Sequence, residues 1–203
     1  MSAANGIAAV VFDIGWVLLH LNYQPLLKLL AARGAPLSER DAVMERIALA
    51  EHECGRMCGD ELLERLAALT REPVSLAEVR ANWLDMFVID APMVELAHRL
   101  SERYRVYLLS NIGDLHWAHL AREYRLHSLG HGALPSYLAG VMKPHADIYA
   151  EAERRFALTP ARTVFIDDRA DNIAAARARG WHGIVHEDYP RTRAALGALG
   201  VEC

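Results

Sequence analysis

Residues 8–19 have the sequence Ala-Ala-Val-Val-Phe-Asp-Ile-Gly-Trp-Val-Leu-Leu, a short apolar run that is interrupted by the carboxylate of Asp13 and then by Gly15. Short apolar runs bounded by turn residues are typical of strands that are buried on both faces of a parallel sheet. An unpaired charge in such a core costs several kcal/mol or more. Asp13 is therefore expected at the carboxyl end of the strand, where open α/β sheets bind their ligands.

The composition of the chain is that of a soluble globular protein without a nucleic-acid or membrane partner. Its 203 residues suffice for a sizeable domain with a smaller inserted lobe, and its net charge of −4 comes without a local cluster of basic residues. Three cysteines are too few for a disulfide framework. The sequence shows no signal peptide and no apolar run near the roughly 18 residues of a membrane span. These features predict a cytoplasmic protein.

Residues 20–90 are predicted to form an inserted helical lobe. Hydrophobic periodicity and capping residues indicate four consecutive helices with short connections and no strand between them, which is typical of a bundle. Ser38, Asp60 and Ser75 are the candidate N-caps of the last three helices, because their side-chain oxygens can accept a hydrogen bond from the first turn. The four predicted helices span residues 25–33, 38–53, 61–69 and 76–86.

Residues 1–19 and 91–203 are predicted to form an α/β core with a doubly wound, Rossmann-like parallel sheet. After Pro92, apolar strands alternate with helices of about 10–12 residues, which is the pattern of βαβ units. The strands predicted after the first one are residues 104–109, 137–138, 163–166 and 183–185. The predicted helices of the core are residues 93–103, 115–124, 145–156, 171–179 and 191–199.

Polar residues of complementary kinds follow three of these strands. Asp13 ends the first strand, Ser110-Asn111 the second and Asp167-Asp168 a later one, while Lys143 lies in a loop just before a helix. Because parallel strands place their carboxyl ends at one edge of the sheet, these side chains are expected to converge. Carboxylates are typical ligands of Mg²⁺, and a lysine together with hydroxyl and backbone donors can bind the oxygens of a phosphate group.

The order and placement of these motifs resemble those of the haloacid dehalogenase-like superfamily, in the group with a helical cap inserted after the first motif. The first motif is similar to residues 12–18, Phe-Asp-Ile-Gly-Trp-Val-Leu, and the second to Leu109-Ser110-Asn111. Lys143-Pro144 is similar to the third motif, and Phe165-Ile166-Asp167-Asp168 with Asn172 to the fourth. Within the superfamily, the chain most resembles small sugar-phosphate phosphatases such as the bacterial α-glucose-1-phosphatases.

This resemblance implies a Mg²⁺-dependent phosphomonoesterase that acts on a small phosphate ester. Asp13 would attack phosphorus to form an aspartyl-phosphate, which water then hydrolyses. Ser110 and Lys143 would bind the phosphoryl oxygens, and Asn111 would be either a further phosphate ligand or a structural turn residue. The implied metal ligands are Asp13, Asp168 and the backbone carbonyl of Gly15, and the residues that orient these groups are Asp167 and Asn172.

Gly15 departs from the pattern of most phosphatases in the superfamily. They carry a second aspartate two residues after the nucleophile, where it protonates the leaving alcohol, whereas Gly15 has no side chain to do so. General acid–base catalysis typically contributes 10²–10⁴-fold to a rate. We therefore expect a slower enzyme, a substrate with a better leaving group or a substitute acid, for which His20 near the entry to the cap is the candidate.

Two other functions remain open at the level of sequence. A 2-haloacid dehalogenase would not need the missing acid, because halide leaves without a proton, but such enzymes use no metal and lack a pair like Asp167-Asp168. A weakly active or non-catalytic binding protein would also explain Gly15. The physiological substrate and the oligomeric state cannot be predicted from the sequence.

Several further residues are assigned to packing or left undecided. Cys54 and Cys58 have the spacing of neighbours on a helix, but without a second pair of ligands they indicate packing better than a metal site. The pair His116 and His119 is assigned to a helix surface or to packing. Trp16 is expected either to cover the active site or to pack beneath the cap.

Overall fold

The computed structural model describes residues 6–36 and 39–203. Five strands form a parallel sheet and two shorter ones form an antiparallel pair. None of the helices in the described ranges is long and apolar enough to cross a membrane. The strands are β1 (Ala9–Phe12), β2 (Leu19–Leu21), β3 (Phe87–Ile89), β4 (Arg105–Ser110), β5 (Ala133–Pro135), β6 (Thr163–Asp167) and β7 (His182–Val185).

Helices precede or follow most of these strands, as in a βαβ arrangement. The helices in the same part of the chain are α1 (Gln24–Ala32), α2 (Arg40–Arg46), α3 (Leu49–Glu53), α4 (Gly59–Ala67), α5 (Leu76–Leu84), α6 (Ala91–Ser101), α7 (Asp114–Glu123), α8 (Ser136–Ala139), α9 (Ala146–Phe156), α10 (Ala170–Ala178) and α11 (Tyr189–Ala198).

The parallel sheet has the strand order β5-β4-β1-β6-β7, so β1 lies at its centre. All four residues of β1 are fully buried, and alternate residues face opposite sides. Val10 and Phe12 pack into the apolar cluster that includes α6, α7 and α11, whereas Ala9 and Val11 pack into the cluster of α9 and α10. Helices therefore cover both faces of the sheet, and the predicted doubly wound fold is confirmed.

The helices α1–α5 enclose an apolar cluster of their own. Leu26, Leu30, Val43 and Trp83 are fully buried in it, and Leu115 of α7 joins it from the sheet side. The ends of this helical segment are tied together by β2 and β3, which pair antiparallel with Leu19 opposite Ile89. No strand lies between these helices in the described ranges, as predicted. The pair β2 and β3 at the two ends was not predicted, because three-residue strands are too short to show a period of two.

The helix predicted at residues 38–53 is broken in the structure. Ala48 has a left-handed conformation with φ of 54°, which separates α2 from α3. The next helix begins at Gly59, so Asp60 lies in its first turn and is not its N-cap. Ser75 caps α5 as predicted, since its Oγ accepts a hydrogen bond of 3.1 Å from the amide of Glu78. Ser38 lies outside the described residues.

The strand predicted at residues 137–138 was also wrong. The strand next to β4 is β5, with Ala133 opposite Leu108, and Tyr137 and Leu138 belong to α8. The side chain of Ser136 explains the change, because its Oγ accepts a 2.9 Å hydrogen bond from the amide of Ile112. This tertiary contact fixes the start of α8 and overrides the preference of tyrosine for strands.

The turn after α3 packs tightly against α8. Gly55 has a φ of +71°, and a Cβ atom placed on it would overlap the backbone carbonyl oxygen of Tyr137. Gly140 has nearly the same backbone, with a φ of +72°, but open space around its Cα. The two glycines thus differ mainly in whether a methyl group has room.

We expect Gly55→Ala to destabilise the protein more than Gly140→Ala does. Both alanines carry the cost of a left-handed backbone, about 1–2 kcal/mol, but only Gly55→Ala also forces the turn away from α8, which adds about 1–3 kcal/mol. Urea denaturation of the two variants and the parent protein measures the difference. Equal free energies of unfolding for the two variants would contradict the tight contact.

Candidate active site

Three neighbouring strands deliver polar side chains to one edge of the sheet. Asp13 directly follows β1, Ser110 ends β4 and Asp167 ends β6. The strands β4 and β6 flank β1 in parallel register, and the amide of Asp13 donates a 2.9 Å hydrogen bond to the carbonyl of Ile166. The convergence predicted from the sequence therefore follows directly from the sheet topology.

The ammonium group of Lys143 joins two of these carboxylates. Its Nζ lies 2.8 Å from Oδ1 of Asp13 and 2.6 Å from Oδ2 of Asp167, and all three side chains are buried. Burial alone would lower the pKa of Lys143, but the two carboxylates outweigh this effect and hold the pKa above its usual value. Lys143 thus keeps its charge in the site.

Asn111 holds the backbone of Lys143 in place. Its Oδ1 accepts a hydrogen bond of 2.8 Å from the amide of Lys143, and its Nδ2 donates one of 2.9 Å to the carbonyl of the same residue. Of the two roles left open for Asn111, this geometry favours the structural one. The side chain nevertheless lies beside the cavity described below.

Asp167 is saturated by protein donors. Besides Lys143, it accepts hydrogen bonds from Nδ2 of Asn172, at 2.9 Å and 3.0 Å, and from the amide of Arg169 at 2.8 Å. Asn172 lies in the first turn of α10 and is itself buried. Asp167 and Asn172 therefore have the positions expected of residues that orient the site.

The residues fit a divalent cation at the carboxylate cluster. One oxygen from each of Asp13, Asp167 and Asp168 lies within 4.8 Å of the others. Asp167 is occupied by its donors, whereas Asp168 forms no ion pair with any residue in the described ranges. Burial, together with Asp167, raises the pKa of Asp168. A cation held by Asp13 and Asp168 would compensate these charges, and Gly15 lines the same cavity.

Burial also raises the pKa of Asp13, to about 6. The charge of Lys143 opposes this shift, and the charge of Asp167 adds to it. The hydroxyl of Ser110 lowers the pKa again, because it favours the ionised form. A cation at the cluster would act in the same direction as Lys143. The site thus combines a desolvated carboxylate with several groups that favour its charged, nucleophilic form.

A cavity of about 640 Å³ lies between this edge of the sheet and the helical segment. Asp13, Ser110, Lys143 and Asp168 line it on the side of the sheet. The helical segment and its connections contribute aromatic, apolar and charged side chains, namely Asn22, Tyr23, Gln24, Leu27, Arg40, Leu49, Glu53, Trp83, Met86 and Phe87.

Comparison with protein families matches residues 7–180 to the haloacid dehalogenase-like hydrolases. The chain belongs to this family. The resemblance to this family that the motifs indicated is thereby confirmed, and so is the prediction that the protein is a hydrolase. The matched residues include all of the site residues at the sheet edge and the whole helical segment.

Two characterised members of the haloacid dehalogenase-like family are similar to the chain over most of its length. A D-ribitol-5-phosphate phosphatase of Bacteroides thetaiotaomicron is 25% identical, over 85% of this chain and 88% of that protein. A sesquiterpene phosphatase of Aspergillus oryzae is also 25% identical, over 87% of this chain and 88% of that protein.

A solved structure of the same family shows the same fold. An enzyme of Bacteroides thetaiotaomicron, crystallised with magnesium and inorganic phosphate, is 26% identical and superimposes with a TM-score of 0.79. The alignment covers 90% of this chain and 97% of that one. Both the sheet and the helical segment therefore have counterparts in that enzyme.

The sequence analysis assigned no individual role to the residues that the helical segment places in the cavity of this hydrolase. Burial raises the pKa of Glu53 to about 7. The guanidinium group of Arg40 lies 4.7 Å from the ring centroid of Tyr23, in a cation–π contact. The motifs carried no signal for these residues, because the distance between the helical segment and the sheet edge depends on tertiary packing.

The remaining candidate residues have different surroundings. His20, the candidate substitute acid, does not line the cavity and lies 3.4 Å from the carboxylate of Asp90. His116 is buried and stacks on Trp83 with ring centroids 4.7 Å apart, and burial lowers its pKa to about 3.

Trp16 lines the cavity but is 45% exposed, which favours a covering role over packing. Neither Cys54 nor Cys58 belongs to a metal-binding cluster in the described ranges.

Proposed function

We propose that the protein is a Mg²⁺-dependent phosphomonoesterase that hydrolyses a small phosphorylated metabolite through an aspartyl-phosphate at Asp13. The observation that carries this proposal is the cluster of buried Asp13, Lys143 and Asp167 with partly buried Asp168 at the floor of the cavity. The two characterised relatives support it, since both are phosphatases by name. The related enzyme crystallised with magnesium and inorganic phosphate supports the choice of metal and of substrate group.

In this mechanism, a carboxylate oxygen of Asp13 forms a bond to phosphorus as the bond from phosphorus to the ester oxygen breaks. Asp13, Asp168 and the backbone carbonyl of Gly15 would hold Mg²⁺, which supplies positive charge to the phosphoryl oxygens. Ser110 and Lys143 bind the remaining phosphoryl oxygens, and Lys143 also keeps Asp13 ionised. Asp167 fixes the position of Lys143, and Asn172 fixes that of Asp167.

We further propose that residues 20–90 act as a cap over a core formed by residues 1–19 and 91–203. The separate apolar cluster of the helical segment and the position of the cavity beneath it support this division. The volume of the cavity is within the usual range of about 300–1,000 Å³ for sites that bind small molecules. A sugar phosphate remains the predicted type of substrate, with no nucleic acid or membrane as partner.

A 2-haloacid dehalogenase is the second candidate, and Gly15 is the observation that favours it. A halide leaves without a proton, so a site without the usual acid would suffice for that reaction. The unpaired charge of Asp168 argues against it, because a metal-free reaction leaves this partly buried carboxylate without a partner. A non-catalytic binding protein would likewise have no need of a desolvated nucleophile.

The deciding assay is hydrolysis of p-nitrophenyl phosphate by the purified protein. We expect turnover in Mg²⁺, a loss of at least about 10²-fold in EDTA, and recovery when excess Mg²⁺ is added. A parallel reaction with chloroacetate should release no chloride. Release of chloride that EDTA does not affect would replace the proposal with the dehalogenase, and inactivity on a panel of phosphate esters would favour the binding protein.

A further inference from the structure

The phosphatase proposed above lacks a proton donor at the usual place. Gly15 cannot protonate the oxygen of the leaving alcohol, and the structure leaves few other candidates around the cavity. Lys143 is committed to Asp13 and Asp167. Burial keeps His116 neutral at physiological pH, because it lowers the pKa of that side chain to about 3. His20 does not line the cavity.

We propose that Glu53 is the general acid that protonates the leaving oxygen, in place of the aspartate missing at position 15. This inference rests on the proposed phosphatase function. Glu53 comes from the helical segment and lines the same cavity as Asp13, which comes from the sheet edge. The two carboxyl groups thus enter the substrate cavity from different parts of the fold.

The backbone of Glu53 is fixed to the sheet edge that binds phosphate. Its carbonyl accepts a hydrogen bond of 2.6 Å from Oγ of Ser136. The same Oγ accepts a bond of 2.9 Å from the amide of Ile112, two residues after Ser110. One buried hydroxyl therefore connects the last residue of α3 to the loop that follows β4.

Close packing on both sides of Glu53 reinforces this position. A Cβ atom on Gly55 would overlap the carbonyl oxygen of Tyr137, and one on Gly113 would overlap the imidazole of His52. The residues before and after Glu53 thus lie against the sheet domain at contacts that only glycine permits. Such fixed placement is what a catalytic group requires.

The carboxyl group of Glu53 is in a state suited to proton transfer. In the described ranges, no donor or cation lies within hydrogen-bond or ion-pair distance of it. The charged groups that face it are Arg40, Asp13 and Lys143, and burial outweighs their combined effect and raises its pKa to about 7. A catalytic acid is most effective when its pKa is close to the working pH.

The proton cycle balances over the two steps of the reaction. In the first step, an oxygen of Asp13 forms a bond to phosphorus, the bond from phosphorus to the ester oxygen breaks, and that oxygen takes the proton of Glu53 and leaves as an alcohol. In the second step, the oxygen of a water molecule forms a bond to phosphorus, the bond from phosphorus to Asp13 breaks, and the ionised Glu53 takes a proton from that water. Phosphate and free Asp13 result, and Glu53 is protonated again.

The test is the dependence of the rate on the leaving group in Glu53→Gln. Phenyl phosphate needs a proton on its leaving oxygen much more than p-nitrophenyl phosphate does, because nitrophenolate is the more stable anion. Because kcat/KM reports only the steps up to release of the alcohol, it isolates the proton donation from the later role of Glu53 as a base. We expect Glu53→Gln to lower kcat/KM on phenyl phosphate by about 10²-fold or more, and kcat/KM on p-nitrophenyl phosphate by less than about threefold. Glu51→Gln is the matched control, since Glu51 lies on the same helix but pairs with Arg56 at the surface.

A purely structural or binding role predicts other results. An equal loss of kcat/KM on both esters, whether it comes from kcat or from KM, would overturn the assignment of Glu53 as the acid while leaving the phosphatase proposal intact. If the parent protein hydrolyses neither ester in Mg²⁺, the phosphatase proposal fails, and the role of Glu53 fails with it.

Gly15→Asp provides an independent check. A Cβ atom on Gly15 has room, since its nearest neighbour is Cδ1 of Leu21 at 3.7 Å. In the Glu53→Gln background, we expect this substitution to restore part of the lost rate on phenyl phosphate. A gain of tenfold or more in the single variant would overturn the proposal, because it would show that the parent protein has no acid.

Discussion

Asp13→Asn is expected to lower the hydrolysis of p-nitrophenyl phosphate by at least about 10⁴-fold, as removal of the nucleophile does in other enzymes with covalent intermediates. The amide of asparagine cannot attack phosphorus, and it offers the metal site an uncharged oxygen in place of a carboxylate. The change keeps the shape of the side chain, so the fold should persist. Steady-state rates in saturating Mg²⁺, together with circular dichroism, measure both effects.

The matched control for this variant is Asp171→Asn. Asp171 lies near the same edge of the sheet, but its carboxylate is exposed and pairs with Arg169 at the surface. Its substitution should leave the rate within about twofold of the parent. If Asp13→Asn keeps more than about 1% of the parent rate while the control is unchanged, Asp13 is not the nucleophile.

The placement of Asp13 shows how much of this site follows from sequence. A carboxylate at the end of a fully apolar run has one stable location in a parallel sheet, at the carboxyl edge. The same rule places Ser110 and Asp167 beside it, because β4 and β6 are the neighbours of β1. The rule does not place Lys143, which comes from a loop and depends on Asn111 for its position.

The contribution of the helical segment could not be obtained in this way. Glu53 enters the cavity because Ala48 breaks the helix before it and because Gly55 and Gly113 permit a close contact with the sheet domain. The two glycine contacts join residues far apart in the chain, Gly55 with Tyr137 and Gly113 with His52. Local patterns predict which residues are helical, but they carry no information on such contacts, and the same limit explains the error at α8.

Lys143→Met is the second variant for which we expect a large effect, on both activity and stability. The substitution keeps the length of the side chain but leaves Asp13 and Asp167 as neighbouring buried carboxylates without their shared cation. Removal of one partner of a buried ion pair costs about 3–5 kcal/mol of unfolding free energy. Loss of a charge that binds the phosphoryl group should lower kcat by about 10²–10³-fold.

The loss of stability should depend on pH with a definite sign. Burial already raises the pKa of Asp13 to about 6 in the presence of Lys143, which opposes that shift. Without Lys143 the folded pKa rises further above the unfolded value of about 3.9. The folded variant then binds more protons than the unfolded chain between these values. Its stability is therefore highest at acid pH and falls as the pH rises through the raised pKa.

Urea denaturation in EDTA at pH 5 and at pH 8 tests this sign. We expect the deficit of Lys143→Met relative to the parent protein to be larger at pH 8, and addition of Mg²⁺ at pH 8 to reduce it, because the cation takes over part of the role of the ammonium. Lys28→Met is the matched control, since Lys28 is the one other lysine of the sequence and is exposed on α1. A deficit independent of pH would mean that Lys143 stabilises the fold by packing alone, and its assigned part in keeping Asp13 ionised would then be wrong.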